Sequence, residues 1–319
     1  MKKRPIIIAI TILMVTAWGC EKDSSFLDIP PNTFLTNDQV FSDSKLALSV
    51  LADLYNRQVD FSGLDNGWAS FADFSETFPS ENGSAYFVQR TGWNYDSWGL
   101  DWFGSYNYLR DLNLFLQRDS ASTGLSEVDR KRFYAEGRFL RANFYFEMTK
   151  RYGGVPLVLA PLDYDYGGKV DNLQLPRSKE SDMYDFIISE AEAIKNDLPT
   201  DVGEKSRASK GAALAMEARA ALYAGSIARY GASTPAVSLP GGEIGISASK
   251  ANGYYTIALR AAKEIIDGTA GGYKLKTAAD GATMAQLSDN FADVFLDKNS
   301  PETIFFEDFK TGGKTHGFT

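Results

Sequence analysis

The sequence predicts a mostly α-helical fold in which helices pack in pairs, and two observations carry this prediction. The first is the stretch from Arg132 to Val158, where apolar and small residues recur at spacings of three, four and seven. This period predicts a long helix with one buried stripe, formed by Phe133, Gly137, Leu140, Phe144, Tyr145, Met148 and Tyr152. Gly153-Gly154 is expected to end the helix in a left-handed C-cap, and Pro156 prevents the helix from restarting.

The second observation is the recurrence of small residues in the later predicted helices. The stretch Arg207–Arg229 is rich in alanine, and small side chains allow a neighbouring helix to approach closely. The face expected to be in contact carries Ala212, Ala215, Arg219, Leu222 and Tyr223. Small contact residues with tyrosines at helix ends suit tetratricopeptide-like repeats, although no repeat period is recognisable. The predicted fold class is therefore mostly α, a tetratricopeptide-like scaffold of helical pairs with long irregular loops rich in aromatic residues.

Capping residues and charge spacing predict the remaining helix positions. A helix is expected from Asp43 to about Val59, capped by Asn37-Asp38 or by Ser42. Its expected face carries Leu46, Val50, Leu54 and Tyr55. The long central helix opens with Ser126 and Asp129, like a capping box with Asp in place of Glu. Two i,i+4 ion pairs are available along it, Arg132 with Glu136 and Glu147 with Arg151. Later helices are expected from Pro176 to about Leu198 and from about Tyr254 to Asp267.

Charge and composition exclude several classes of function. The formal net charge is −8, from 33 basic and 41 acidic residues. From Cys20 onward it is 30 − 41 = −11, because three basic residues and no acidic residue precede Cys20. Such a surface does not attract nucleic acid through its charge. The chain holds one cysteine and one histidine, His316. A single cysteine cannot form an internal disulfide. A single histidine near the end of the chain argues against a Cys/His dyad within the fold and against a His-rich zinc site.

The N-terminus predicts export and lipidation. Residues 1–19 have a basic start and an apolar run over positions 6–15, the pattern of a secretory signal. This run is shorter than the about 20 residues that a membrane-spanning helix needs. Gly19-Cys20, with Ala17 three residues before the cysteine, resembles a lipoprotein cleavage site, so Cys20 is the predicted lipidation residue. Residues 20–36 are then expected to form the tether of the lipid anchor and an extended segment.

Motifs in the central helix resemble the SusD/RagB family of surface glycan-binding lipoproteins. The similar residues are Ala135-x-x-Arg138-Phe139-Leu140-Arg141-Ala142, Tyr145-Phe146 and Arg151-Tyr152-Gly153-Gly154-Val155-Pro156-Leu157. The resemblance covers essentially the whole chain but only the first part of the family's pattern. It implies four helical pairs, a strand within residues 300–306, and a domain over residues 37–319 without the family's C-terminal part. It also implies structural roles for Trp102, Tyr106 and Asn113.

The same resemblance implies a function and its partners. Such a protein is anchored by lipid in the outer membrane at the cell surface and binds oligosaccharide or polysaccharide. It delivers this ligand, without catalysis, to a SusC-like TonB-dependent transporter. No cofactor, metal ion or nucleic acid is implied.

The expected ligand site lies in an irregular segment from Phe61 to Gly99, where glycines alternate with aromatic residues. Long irregular segments in compact domains are more often functional than accidental. Sugars present apolar C–H faces and a rim of hydroxyls, so exposed rings flanked by polar side chains suit them. The predicted stacking rings are Trp93, Tyr95, Trp98 and Trp68, and the predicted hydrogen-bonding partners are Asn94 and Asp96. These rings could instead be core residues, which large aromatic side chains more often are.

Two other functions fit the residues. A glycoside hydrolase would need two carboxylates roughly 5–10 Å apart. Asp73, Glu76 and Glu81 in the aromatic segment are candidates, although solvated loop carboxylates are a simpler interpretation. A helical-repeat module that binds protein or peptide would bury the aromatic loop within its fold. Exposure of the loop's rings would therefore discriminate this module from a glycan-binding protein.

Overall fold

The computed structural model describes residues 35–58, 106–163, 166–168, 170–200, 203–233 and 238–309. The chain divides into two compact units, Met1–Val40 and Phe41–Thr319. The described part of the first unit contains one short helix, α1 (Asn37–Val40). Two reciprocal hydrogen bonds between Thr36 and Gln39 fix its start, at 2.8 Å and 3.3 Å.

In the second unit the described residues form helices joined by turns and irregular backbone, and no strand occurs among them. Its α-helices there are α2 (Ser44–Asn56), α3 (Tyr106–Ala121), α4 (Glu127–Tyr152), α5 (Glu180–Ile194), α6 (Lys210–Tyr230), α7 (Ala251–Ile266) and α8 (Met284–Leu296). Short 3-10 turns occupy Asp171–Leu173, Gly231–Ser233 and Ala248–Lys250. None of the helices in the described ranges is long and apolar enough to span a membrane. The predicted mostly α fold is confirmed.

Helix α4 is the centre of this unit, as the sequence predicts, and it packs between α3 and α5. The prediction of a single buried stripe is too narrow. Besides the stripe, α4 buries Ala135, Phe139, Ala142 and Phe146 on its other sides, because neighbours cover it from more than one direction. The two predicted ion pairs are confirmed, Arg132–Glu136 at 2.9 Å and Glu147–Arg151 at 2.7 Å.

The start of α4 differs from the predicted capping box. Ser126 caps the helix as expected, because its Oγ accepts the N–H of Asp129 at 3.1 Å. The Asp129 carboxylate instead accepts hydroxyl groups, from Ser126 at 2.9 Å and from Ser44 at 2.7 Å. Asp129 therefore ties the first turn of α4 to the start of α2.

Consecutive helices form antiparallel pairs. Along α3 and α4, Tyr108 lies against Phe144 and Asn113 bonds Arg141. The residue numbers rise along one helix as they fall along the other, as they do in antiparallel helices. The same order relates α4 to α5, where Arg138 bonds Glu190 and Phe146 lies against Tyr184. It also relates α6 to α7, where Glu217 pairs with Arg260 and Gly225 lies beside Tyr255. Helix α5 packs on α6 as well. The small residues act as predicted, since a Cβ added to Gly225 would lie 2.9 Å from the Tyr255 ring of α7.

Two predicted helix faces are wrong in detail. Helix α2 is capped by Asp43, whose Oδ1 accepts the N–H of Lys45 at 2.7 Å, rather than by Asn37-Asp38 or Ser42. Its buried residues are Ala47, Leu51 and Leu54. On α6 the predicted contact residue Leu222 is 51% exposed. Tyr223 is 41% exposed, and its ring lies 5.7 Å from that of Phe146 on α4. The buried face of α6 is instead made of alanine, glycine, Leu214, Met216 and Glu217, because close approach to α5 and α7 requires small side chains there.

The strand expected within residues 300–306 is absent. This segment is a turn followed by irregular backbone. Single backbone bonds hold it, from Phe306 N–H to the carbonyl of Lys205 at 3.1 Å and from Lys274 N–H to that of Pro301 at 3.2 Å. One bond to each neighbour cannot form a ladder, and so no strand develops.

A buried carboxylate joins three separate parts of the unit. Glu136 on α4 is fully buried and accepts hydrogen bonds from Arg132, Arg207 and the hydroxyl of Tyr55. A buried charge is tolerated only when it is paired and hydrogen-bonded in this way. Burial, together with the charge of Glu136, raises the pKa of the Tyr55 hydroxyl well above its ordinary value. Tyr55 therefore remains a neutral donor that links α2 to α4.

Candidate functional site

The predicted ligand-binding residues all lie outside the described residues. Trp68, Trp93, Asn94, Tyr95, Asp96 and Trp98 fall within positions 59–105, and the proposed lipidation residue Cys20 falls within positions 1–34. Trp102 and the acidic candidates Asp73, Glu76 and Glu81 also lie in the first of these ranges. These residues remain predictions. The described part of the chain shows the surroundings at both ends of the aromatic segment.

The two ends of segment 59–105 are adjacent, because α2 leads into it and α3 follows it side by side. Arg57, just after α2, donates from Nη1 to Asp111 of α3 at 2.9 Å. The hydroxyl of Tyr108 donates to the carbonyl of Leu54 at 2.9 Å. The C-terminal end of α2 therefore lies beside the N-terminal half of α3. The aromatic segment leaves and rejoins the scaffold at one place.

A set of buried polar side chains holds the backbone that follows α4. The Tyr145 hydroxyl accepts the N–H of Val158 at 2.7 Å and donates to its carbonyl at 3.1 Å. Asn113 Nδ2 donates to the same carbonyl at 2.9 Å, and the Tyr106 hydroxyl donates to the carbonyl of Pro156 at 3.0 Å. The structural roles expected for Tyr106 and Asn113 are therefore confirmed. Together these groups fix residues 155–159 against α3 and α4.

The arginines of the central motif complete this network. Arg141 is buried and donates to Asn113 Oδ1 at 3.0 Å, to the carbonyl of Leu159 at 3.3 Å and to Glu190 at 3.2 Å. Arg138 binds the same Glu190 through two nitrogens, at 2.7 Å and 3.0 Å. Bidentate pairing fixes the geometry as well as the charge. Because Glu190 belongs to α5, the motif joins α3, α4 and α5 to one backbone segment.

We expect Tyr145→Phe to lower the free energy of unfolding by about 1–3 kcal/mol, since it leaves the part-buried Val158 N–H without its acceptor. Urea unfolding followed by circular dichroism measures this loss. Tyr255→Phe is the matched control, because the Tyr255 hydroxyl makes no hydrogen bond to any described residue. Equal stability of the two variants would show that the hydroxyl of Tyr145 does not hold this segment.

The fixed segment forms one wall of a cavity of about 490 Å³, here named the Arg177 cavity. The described residues that line it are Tyr106, Met148, Tyr152, Val155, Pro156, Val158, Leu162, Leu173, Leu175 and Arg177. Its volume lies within the roughly 300–1,000 Å³ of small-molecule sites. Tyr106 is also the first described residue after the aromatic segment. The cavity is thus next in sequence to the predicted ligand-binding residues.

Arg177 is the only charged side chain among the described lining residues of this cavity. Its Nε donates to the carbonyl of Gly154 at 2.6 Å, and its Nη2 donates to the carbonyl of Tyr152. These bonds hold the guanidinium against the C-terminal end of α4. Burial raises the pKa of Tyr106 to about 12. Tyr106 therefore stays protonated at neutral pH.

A second charged cluster lies between α5, α6 and α7 and does not line the cavity. Its members are Glu192, Lys195, Glu217, Arg260 and Glu264. Lys195 pairs with Glu192 and with Glu264, each at 2.9 Å. Arg260 pairs with Glu192 at 2.9 Å and with Glu217. No group of three or more metal-ligating side chains occurs within the described ranges.

The antiparallel helical pairs define an all-α scaffold, and comparison with known proteins assigns it to a family. The sequence profile of the SusD-like family, described as starch-binding and associating with the outer membrane, matches residues 26–222. This match covers more than half of the chain. The chain therefore belongs to the SusD-like family.

Individual relatives agree with this assignment. A SusD-like protein of Bacteroides ovatus is 28% identical over 233 residues, which cover 67% of this chain and 38% of that protein. The crystal structure of a SusD-like protein from Bacteroides fragilis matches with a TM-score of 0.59 at 28% identity, over 86% of this chain and 46% of that one. A SusD superfamily structure from the same species shows the shared fold, with a TM-score of 0.51 at 20% identity, over 72% and 44% of the two chains. The chain spans less than half the length of these relatives.

Proposed function

We propose that this protein binds glycans at the cell surface and passes them, without catalysis, to a SusC-like TonB-dependent transporter in the outer membrane. The observation that carries the proposal is the match of a starch-binding family over residues 26–222. The matched region includes the aromatic segment and the whole network around Tyr145. The proposed ligand is an oligosaccharide or polysaccharide.

The aromatic segment supplies the chemistry that the proposal requires. Trp93, Tyr95 and Trp98 offer rings for the apolar faces of sugars, and Asn94 and Asp96 offer hydrogen bonds to hydroxyl groups. Trp68 is a further candidate ring. The described residues on either side of the segment belong to α2 and α3, which lie side by side.

The N-terminal residues support the proposed location. We propose that residues 1–19 direct export, that Cys20 carries the lipid, and that residues 20–36 tether the domain. Acyl chains contribute about 0.8 kcal/mol per buried CH₂, and stable anchoring needs more than one chain. Metabolic labelling with a radioactive fatty acid would test this directly. The label should be incorporated into the wild-type protein and lost in Cys20→Ser.

Affinity electrophoresis of residues 26–319 in gels containing single polysaccharides, starch among them, tests the glycan function. We expect one glycan class to retard the protein, and Trp93→Ala to weaken binding about tenfold, which corresponds to loss of about 1.4 kcal/mol of stacking. The control is Phe291→Ala, because Phe291 is an aromatic residue of α8 that is 68% exposed. A folded protein that no glycan retards would contradict the proposal and favour a peptide ligand.

Catalysis is tested on the same retained glycan. We expect no release of reducing ends during prolonged incubation with the wild-type protein. Release that disappears in Asp73→Asn or Glu76→Gln would instead identify a glycoside hydrolase.

A further inference from the structure

The Arg177 cavity has a lining that a neutral sugar does not match. Its described walls are two tyrosine rings, one methionine and six aliphatic or proline side chains. The hydroxyl of Tyr106 already donates to the carbonyl of Pro156. The described lining offers few hydrogen-bonding groups for the hydroxyls of an enclosed sugar, and each buried hydroxyl without a partner is unfavourable by roughly 1–3 kcal/mol. The walls therefore fit a flat apolar body better than they fit a polyhydroxylated one.

The guanidinium of Arg177 supplies one strong anchor at the exposed edge of the cavity. Two of its nitrogens bond backbone carbonyls, whereas Nη1 makes no hydrogen bond to a described residue. No carboxylate of the described residues lies within the 4.0 Å of an ion pair with Arg177. Glu180 influences Arg177 electrostatically, but its carboxylate accepts the N–H of Gly245 at 2.6 Å. A donor nitrogen and a positive charge therefore remain for an incoming anion.

The fixed position of Arg177 makes this anchor specific. Its bonds to the carbonyls of Tyr152 and Gly154 hold the guanidinium plane before any ligand arrives. A side chain that is already ordered loses little conformational entropy on binding. The adjoining wall is equally fixed, because Tyr145, Asn113 and Tyr106 hold residues 156 and 158. The cavity is thus a preformed site with one cationic edge.

We propose that the Arg177 cavity binds a small aromatic carboxylate. The aromatic ring lies among Tyr106, Met148 and Tyr152, where ring–ring and sulfur–ring contacts are favourable. The carboxylate accepts a charge-assisted hydrogen bond from Arg177. The proposal does not depend on the glycan function.

Calorimetric titration of the full chain carrying Cys20→Ser tests the proposal with two probes. Cinnamate carries the carboxylate, and cinnamyl alcohol has the same ring without the charge. We expect the acid to bind at least about tenfold more tightly than the alcohol, as loss of one charge-assisted hydrogen bond implies. Equal affinity of the two probes, or no binding of either to the folded protein, would overturn the proposal. Both probes are titrated into the same protein, so a difference in affinity cannot result from misfolding.

Two variants locate the site. Leu162→Trp places a bulky ring in the lining at a residue that is 41% exposed, and it should abolish binding of the acid. Leu159→Trp is the matched control, since Leu159 is 46% exposed on the same connection and does not line the cavity. Binding that survives in Leu162→Trp, or that is lost equally in both variants, would place the probe elsewhere.

Discussion

Gly154→Ala is expected to be the most damaging single substitution in the described part of the chain, lowering the free energy of unfolding by at least about 3 kcal/mol. A Cβ at this position would overlap the backbone carbonyl of Ser178 and lie 3.1 Å from the backbone nitrogen of Glu180. Backbone atoms cannot move aside as a flexible side chain can. Guanidinium or urea unfolding followed by far-ultraviolet circular dichroism measures the loss.

The overlap is severe because hydrogen bonds hold the backbone on both sides of the contact, at Gly154 and at Ser178. Gly154 N–H donates to the carbonyl of Glu243 at 2.6 Å, and Ser178 N–H donates to that of Val155 at 3.1 Å. The preceding residue, Gly153, has a φ of 68°, and this positive φ makes the turn after α4. Gly154 allows the close approach to Ser178. Both glycines of the motif are therefore required, for different reasons.

Gly272→Ala is the matched control for this prediction. No atom lies within 4 Å of a Cβ added there, and the backbone has no positive φ. Such a change should leave stability within about 1 kcal/mol of wild type, or raise it slightly through the unfolded state. Equal losses in the two variants would show that the backbone contact at Ser178 is not a constraint.

Glu217→Gln should remove a pH dependence of stability from the protein. Glu217 is fully buried on α6, where it pairs through one oxygen with Arg260, and its Oε2 has no partner among the described residues. Burial raises the pKa of Glu217 from 4.5 to about 7. The positive charge of Arg260 opposes this rise, and the negative charge of Glu192 adds to it. The folded state therefore binds a proton that the unfolded state releases more readily.

The sign of the effect follows from the raised pKa. The stabilisation from protonated Glu217 is fully present below pH 4.5 and is lost as the pH rises through about 7. The difference between the two pKa values corresponds to about 3 kcal/mol at most. Glutamine stays neutral at every pH, so Glu217→Gln should gain stability relative to wild type by up to this amount between pH 4.5 and pH 8.

Unfolding free energies of both proteins across this pH range provide the measurement. Glu204→Gln is the control, because its side chain is 70% exposed and solvent screens its charge. If Glu217→Gln and wild type keep a constant difference from pH 4.5 to pH 8, then Glu217 does not titrate differently in the folded and unfolded states.

Local sequence signals predicted most of the helices but not all of their faces. The i,i+4 pairs of α4 and its Ser126 cap depend on neighbours within one turn, and they are confirmed. The prediction for the face of α6 is wrong in part, because an alanine-rich helix has apolar residues on every side and its large residue Leu222 is half exposed. Periodicity cannot rank faces when the small residues are the buried ones.

The cavity and the buried charges depend on distant pairings that no local pattern contains. Glu136 is tolerated in the core only because Arg207 and Tyr55 reach it from other elements. Val158 is held by Asn113, which lies on α3 and is 45 residues earlier in the chain. A signal for the cavity was present in the apolar run after Gly153-Gly154 and in Leu173 and Leu175, but sequence alone did not show that these segments meet.

The junction of α2 with α3 has a consequence for the sequence between them. Because Arg57–Asp111 and Tyr108–Leu54 bring the C-terminal end of α2 beside α3, the scaffold itself holds the two ends of the intervening sequence together. Doubling the length of a loop with joined ends adds only about 0.6 kcal/mol of closure entropy. A change in the length of the sequence between positions 58 and 106 should therefore alter the closure entropy of this scaffold only slightly.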